Sequence, residues 1–390
     1  MTQTATAPEV SVVIPCLNEA ETLEVVIREA REGLDRGGIA GEILVADNGS
    51  TDGSQELARK AGARVVPVAS RGYGNALMGG IAESRGRFII MGDADASYDF
   101  RSIPEFVAQL RTGSQLVMGC RLPSGGGRVM PGAMPFLHRW WGNPMFSWMV
   151  RTWFRAPIND VYCGLRGFTR DLYERLELRC TGMEFATEMV IKSALAAVPT
   201  GEVPITLRPD QRRTHAPHLR TFRDGWRTLR FFLMYSPRWL FLLPGALLVL
   251  LGVVGYALAM PGIRVRGAHL DVNALLFSSL FVILGYQSIL FAIHTKTFAV
   301  SQGLLPMTRR VERFFAVFNL ERGLLIGAAV TLLGVVLLAL ALYRWWANDF
   351  GPMDYPSTLR LTIPGVMFTS LGVQTILSSF FASILGLHRR

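Results

Sequence analysis

Four stretches without a charged residue follow one another in the last part of this 390-residue chain: Trp239–Ile263, Val272–Ile293, Gly323–Tyr343 and Leu361–Leu387. Each reaches the about 20 residues that a helix needs to cross the hydrocarbon core of a bilayer. Lipid offers no water to satisfy exposed backbone groups, so such segments have to be helical. One run of this kind is often a buried core helix. Four in succession, separated by charged or Pro-containing segments, read as a multi-pass membrane domain over residues 239–387.

The charges between the spans predict sidedness. Arg220, Arg223, Arg227, Arg230 and Arg238 precede the first span, Lys296, Arg309, Arg310, Arg313 and Arg322 lie between the second and third, and Arg389 and Arg390 end the chain. The other two loops carry only Arg264 and Arg266, then Arg344 and Arg360. By the positive-inside rule the N-terminal region, the middle loop and the C-terminus are expected in the cytoplasm. Residues 1–9 are expected to be disordered and carry neither a basic nor an apolar leader region, so no signal peptide is expected. Cys16, Cys120, Cys163 and Cys180 show no paired or metal-ligand spacing, which fits a reducing compartment. The formal charge of +10 raises nucleic-acid binding as a class. Much of that surplus flanks the spans, where it serves topology and attraction to anionic lipid, and nucleic acid is excluded as a partner.

Residues 10–95 alternate between short apolar, β-branched runs and segments of helical spacing. Strands are predicted at Val10–Pro15, Glu42–Asp47, Ala63–Val68 and Arg87–Gly92, with helices at Glu21–Leu34, Ser54–Ala61 and Asn75–Ser84. Such alternation predicts βαβ units and a mostly parallel sheet, an α/β domain over residues 10–218. Ligands of these sheets bind beyond the carboxyl ends of the strands. Asn18 and Glu19 follow the first strand, Asp47 and Asn48 the second, and Asp93 and Asp95 the fourth.

The last of these ends is the most telling. An apolar strand that stops in Asp93-Ala94-Asp95 places two carboxylates where desolvation is costly unless they are paired. A divalent cation, Mg²⁺ or Mn²⁺, is the expected partner, because it takes one or two carboxylates together with water and substrate phosphate oxygens. Gly72-Tyr73-Gly74 opens a helix and faintly suggests a dinucleotide fingerprint. It lacks the third glycine, since Leu77 stands there, and it follows the third strand rather than the first. It is read instead as a loop whose backbone approaches a nucleotide.

Taken in order, Val13-Ile14-Pro15-x-x-Asn18-Glu19, Val45-Ala46-Asp47-Asn48-Gly49-Ser50-Thr51-Asp52-Gly53 and Gly92-Asp93-Ala94-Asp95 resemble glycosyltransferase family 2, inverting enzymes of GT-A fold. Met118-Gly119-Cys120-Arg121 and Asp160-Val161-Tyr162-Cys163-Gly164-Leu165-Arg166-Gly167-Phe168 extend the resemblance to the dolichyl- and polyprenyl-phosphate mannose or glucose synthases. It implies that Pro15, Asn18, Glu19, Asp47, Asn48 and Ala94 line the nucleotide pocket, and that Asp93 and Asp95 hold the metal and the donor diphosphate. Four positions depart from the family pattern: Asn48 for the second Asp, Cys163 for Ser, Leu165 for Phe, and Ser97 where many relatives carry a Gln metal ligand. The implied donor is GDP-mannose, with UDP-glucose as the alternative, and the implied acceptor is a polyprenyl phosphate.

A phosphate monoester with a second pKa of about 6 arrives already anionic, so it needs cations to position it rather than a general base. Arginine suits this through bidentate contact. The candidates are Arg121, Arg139 and the cluster Arg212, Arg213, His215 and His218, with Asp160, Arg166 and Glu184 shaping the acceptor pocket. Asp95, Arg121, Arg139 and Arg213 are the residues assigned to catalysis. Met134–Phe154 mixes aromatic residues with arginine and is expected to form two short interfacial helices broken at Gly142-Asn143-Pro144. Residues 219–238 read as a basic amphipathic helix leading into the first span, so membrane lipids are expected partners. The spans suit a small bundle or the assembly of several copies. Two other readings compete. A processive polysaccharide synthase is expected to carry Q-x-x-R-W, where this chain has Tyr235-Ser236-Pro237-Arg238-Trp239. A non-catalytic membrane scaffold is the second, and intact Asp93, Asp95 and Arg121 argue against it.

Overall fold

A computed structural model describes residues 7–212, 221–265, 268–301 and 319–386. The chain divides into two compact units, residues 1–232 and 233–390.

In the first unit, seven strands form one sheet in the order β3-β2-β1-β4-β7-β5-β8. They are β1 (Val10–Cys16), β2 (Gly41–Asp47), β3 (Arg64–Pro67), β4 (Phe88–Met91), β5 (Leu116–Cys120), β7 (Arg166–Thr169) and β8 (Thr200–Pro204). All neighbours run parallel except β7, which lies antiparallel between β4 and β5. β1 and β4 are buried along nearly their whole length, as expected of parallel strands covered on both faces. One cover is α1 (Leu23–Arg36), which buries Leu23, Val26, Ile27, Ala30 and Leu34 on one stripe. α2 (Ser54–Lys60), α3 (Tyr73–Ala82) and α4 (Ile103–Arg111) complete the early crossovers. A small pair, β6 (Arg128–Val129) with β9 (Thr206–Leu207), joins the segment after β5 to the one after β8. The mostly parallel α/β sheet matches the expectation, with each early strand within a residue or two of its predicted ends.

The segment 134–154 differs from the expectation of two helices. A π-turn at His138–Gly142 runs directly into α5 (Asn143–Phe154), and Gly142 keeps right-handed helical dihedrals. Pro144 does not break the helix because it sits in the first α-turn, where a missing N–H removes no helical bond. The wider turn, closed by Asn143 N–H donating to His138 O, absorbs the ring. The same device recurs at Arg238–Leu242, ahead of Pro244. The unit is completed by α6 (Arg170–Leu176), α7 (Glu184–Leu195) and the start of α8 (Thr221–Tyr235), whose Phe232 packs edge-on against Phe146 and Phe154 of α5.

Among the described residues, the second unit holds four helices long and apolar enough to cross a membrane: Arg238–Ala259, Val272–Ser301, Leu320–Trp346 and Tyr355–Leu385. The α-helical part of the first is α9 (Leu243–Ala259); the others are α10 (Val272–Ser301), α11 (Leu320–Trp346) and α12 (Tyr355–Gly386). Three of them run past the charge-free windows, because a helix continues into the headgroup zone where charged ends meet water. α9 packs on α10, α11 on α12, and α10 on α12. Small residues permit this: a Cβ on Gly334 would come within 2.7 Å of Gly365 O, and one on Gly245 within 2.7 Å of Gly285 O.

Candidate functional site

The register of the parallel strands brings the polar ends together. Cys16 lies opposite Asp47, Asp47 opposite Pro67, and Met91 opposite Val13. The residues that follow β1, β2 and β4 therefore emerge at one edge of the sheet. β1 is flanked by β2 on one side and β4 on the other, so this edge is the switch point of the strand order, where open α/β sheets bind ligands.

The two carboxylates of the β4 end are held differently. Tyr73, the first residue of α3, donates from Oη to Asp93 Oδ1 at 2.9 Å. Asp93 Oδ2 lies against Gly164, whose N–H donates to Tyr98 Oη at 2.9 Å. Burial, and then the neighbouring Asp95 charge, push the Asp93 pKa up to about 6, against the pull of Tyr73, Arg166 and Arg121. Burial, then the Asp93 charge, raise the Tyr73 phenol well above its ordinary value, so it stays a donor. Asp95 accepts from Ser97 N–H at 3.0 Å and lies 3.6 Å from Arg212 Nη2. Among the described residues no group of three or more His, Cys, Asp or Glu side chains gathers. Two repelling carboxylates at a strand end nevertheless fit a hard divalent cation, which takes few protein oxygens and fills its shell with water and phosphate.

Arg212 ties this edge together. It binds Asp210 through Nε and Nη2, and its Nη1 lies 3.0 Å from Glu19 Oε1. Gln211 N–H also donates to Asp95 O. Burial and the carboxylates act on Arg212 in opposite senses, and the carboxylates hold its pKa above the ordinary value. Asp47 is turned into its own loop, accepting from Gly49 N–H, Ser50 N–H and Gln55 Nε2. Asn18, at a positive φ, accepts from Thr51 N–H at 2.8 Å. Asn48 donates from Nδ2 to Val68 O and Ser70 O while its Oδ1 accepts from Gly72 N–H. Pro15 is half-buried at the end of β1, and Ala94 is buried between the two aspartates.

Beside the carboxylates lies a buried ion pair. Arg121 donates from its own N–H (3.0 Å) and from Nε (2.7 Å) to Asp160 Oδ2, and from Nη2 (2.8 Å) to Oδ1. Burial alone would raise the Asp160 carboxyl, but the Arg121 charge and its hydrogen bonds hold it below the usual range. Arg166 is fully buried, with its guanidinium on the carbonyls of Cys163 and Ala186. Burial lowers its pKa, although the nearby Asp93 and the two tyrosines oppose this. Burial also pushes the Cys163 thiol up to about 12, so it is no nucleophile. Arg139 is half-buried over the Trp140 ring, and its neighbour His138 is lowered by burial and by Arg121. Glu184 is half-buried at the start of α7. Glu188 is buried and structural, accepting from Arg179 and Cys180 N–H and pairing with Lys192 at 2.9 Å. Arg213, His215 and His218 lie outside the described residues.

Tyr73, Tyr98 and Gly164 carry no site role in the sequence, although Gly164 lies in a family motif and Gly72-Tyr73-Gly74 reads as a loop approaching a nucleotide. Its glycines are needed for close approach to another loop: a Cβ on Gly72 would sit 2.5 Å from Thr181 O, and one on Gly74 2.3 Å from Cys180 O.

Comparison with known proteins agrees with this picture. Residues 11–176 match Glycosyl transferase family 2, and residues 293–386 match the Glycosyltransferase family 2 C-terminal transmembrane region. Across 97% of its length the chain is 34% identical to the low-salt glycan biosynthesis hexosyltransferase Agl6 of Haloferax volcanii, covering 90% of that protein. The dolichyl-phosphate hexose transferase of the same organism is 28% identical over 52% of this chain and 84% of its own. Among solved structures, glucosyl-3-phosphoglycerate synthase from Mycobacterium tuberculosis with Mn²⁺, uridine diphosphate and phosphoglyceric acid aligns with a TM-score of 0.46. That match has 22% identity and covers 58% of this chain and 78% of that one.

Proposed function

The chain belongs to glycosyltransferase family 2, and from that premise we propose that it moves a hexose from a nucleotide sugar to a polyprenyl phosphate. Transfer proceeds with inversion at the cytoplasmic face of a membrane. The carrying observation is the Asp93/Asp95 pair at the switch point, on a chain whose second unit has, among the described residues, four helices long and apolar enough to cross a bilayer. The relatives support a hexosyl donor, and those helices support a membrane-borne acceptor.

In this reading a phosphate oxygen of the acceptor attacks the anomeric carbon. The bond to the donor's β-phosphate breaks, and its electron pair leaves with the nucleoside diphosphate. The attacking phosphate is already anionic, so no side chain has to remove a proton. Asp93 and Asp95 would hold a divalent cation, which when bound neutralises charge on the departing diphosphate. Arg121, fixed by Asp160 along one edge of its guanidinium, keeps a rigid positive charge beside the carboxylates. Arg139 stands near the exposed Phe136, Trp140, Trp141 and Trp148, which are 53–71% exposed. Bands of this composition favour the headgroup zone, where a lipid phosphate emerges. GDP-mannose and UDP-glucose are the two donors of this reading.

The test supplies the membrane-embedded protein with undecaprenyl phosphate, Mn²⁺ and a panel of radiolabelled nucleotide sugars. Label in an organic-extractable, mild-acid-labile lipid supports the reading. Label in a long polymer selects a processive synthase. No transfer from any donor leaves a non-catalytic protein.

A further inference from the structure

The most closely fitted part of the site is the mounting of Asp93. One carboxylate oxygen receives the Tyr73 hydroxyl at 2.9 Å. The other rests where a Cβ on Gly164 would stand, 2.4 Å away. Tyr73 is itself placed from two sides. Asn48 draws in the preceding loop with hydrogen bonds to Val68 O, Ser70 O and Gly72 N–H, at 3.0, 2.8 and 2.7 Å. Gly72 and Gly74 let the start of α3 press on the carbonyls of Thr181 and Cys180, and Asn75 N–H donates to Thr181 O at 3.2 Å. Glu188 pins that opposing loop through the N–H groups of Arg179 and Cys180.

We propose that Tyr73 is a positioning residue for donor binding: with Gly164 and the Asn48-anchored loop, it locks Asp93 in one orientation toward the cation and diphosphate. Asp95, whose carboxylate among the described residues meets Ser97 N–H at 3.0 Å and Arg212 at 3.6 Å, is the carboxylate that adapts when they arrive. An amide is required at position 48, because a carboxylate has no hydrogen to offer two carbonyl oxygens. The proposal rests on the nucleotide-sugar reading above, and its test separates the two.

Full-length protein in detergent is titrated by calorimetry with UDP and with GDP in the presence of Mn²⁺. Donor and acceptor KM values are then measured separately. Tyr73→Phe keeps the ring and removes one hydrogen bond to a charged group, so Mn²⁺-dependent nucleotide binding should weaken roughly tenfold or more. The acceptor KM should stay within about twofold, as for a site whose contacts are untouched. Gly164→Ala, which displaces Asp93 by contact alone, and Asn48→Asp should produce the same split. Adding Tyr73→Phe to Asp93→Asn should weaken binding no further, because both act through one carboxylate. Wild-type nucleotide affinity in Tyr73→Phe, or equal losses for donor and acceptor, overturns the proposal. If the wild-type protein binds neither nucleotide, the nucleotide-sugar reading itself falls.

Discussion

Replacing Asp160 by Asn tests the buried pair that supports the site. The side chains of Arg121 and Asp160 are 9% and 0% exposed, and three hydrogen bonds at 2.7–3.0 Å join the two residues. The amide keeps the shape but removes the charge and turns donors toward the guanidinium. An arginine left buried without its counter-charge destabilises by about 3–5 kcal/mol. For a unit of this size that is a fall of roughly 6–20 °C in melting temperature, measurable by tryptophan fluorescence of the full protein in detergent. The Arg121 charge holds the Asp160 carboxyl below its usual range. The pair's contribution is therefore complete above the unfolded pKa of about 3.9 and is lost only as pH falls through the lower folded value. The gap between wild type and Asp160→Asn should stay constant from about pH 5 to 8 and close under stronger acid. The double variant Arg121→Met/Asp160→Leu should regain most of the stability and still fail to transfer sugar. A shift below about 2 °C for Asp160→Asn would refute the buried-charge argument. A stable double variant with full activity would reduce Arg121 to scaffold.

Three further outcomes follow from the same geometry. With cations chelated, Asp93 has a folded pKa raised to about 6, so the fold binds its proton more tightly than the unfolded chain does. The Asp93 contribution to stability should be full below the unfolded value of about 3.9 and be lost as pH rises through about 6; the difference in thermal melts between wild type and Asp93→Asn should follow this slope. Asp95→Asn should lower transfer by about a hundredfold or more at saturating Mn²⁺, and near-normal transfer would overturn its assigned role. Trp140→Ser with Trp141→Ser removes two exposed rings (61% and 70% exposed), so melting should be unchanged. Activity on membrane-embedded acceptor should fall while activity on a short, detergent-soluble acceptor persists; equal loss on both would remove these rings from lipid contact.

What could be read in advance follows from how local each cause is. β4 is apolar throughout and β1 and β2 carry buried apolar runs because both faces are covered there, so composition alone marks them. The carboxylates after β4 stand out because polarity changes there within one residue. β7 has no such signature. It carries the fully buried Arg166 beside Gly167, and what makes Arg166-Gly167-Phe168-Thr169 a strand is its antiparallel pairing with β4 and β5. Gly142-Asn143-Pro144 shows the opposite failure. Its breakers are real, but a proline in the first turn of a helix obstructs nothing.

Asn48 joins the two cases. Its departure from the family pattern is visible in the sequence, yet the sequence alone does not show which groups the amide meets. In the fold its amide hydrogens meet the carbonyls of Val68 and Ser70, and its oxygen meets Gly72 N–H. An aspartate there would face two acceptors and push the loop away from β2. That loop ends in the residue whose hydroxyl holds Asp93. The amide at 48 and the phenol at 73 therefore depend on each other, and Asn48→Asp should disturb Asp93 from a position that does not touch it.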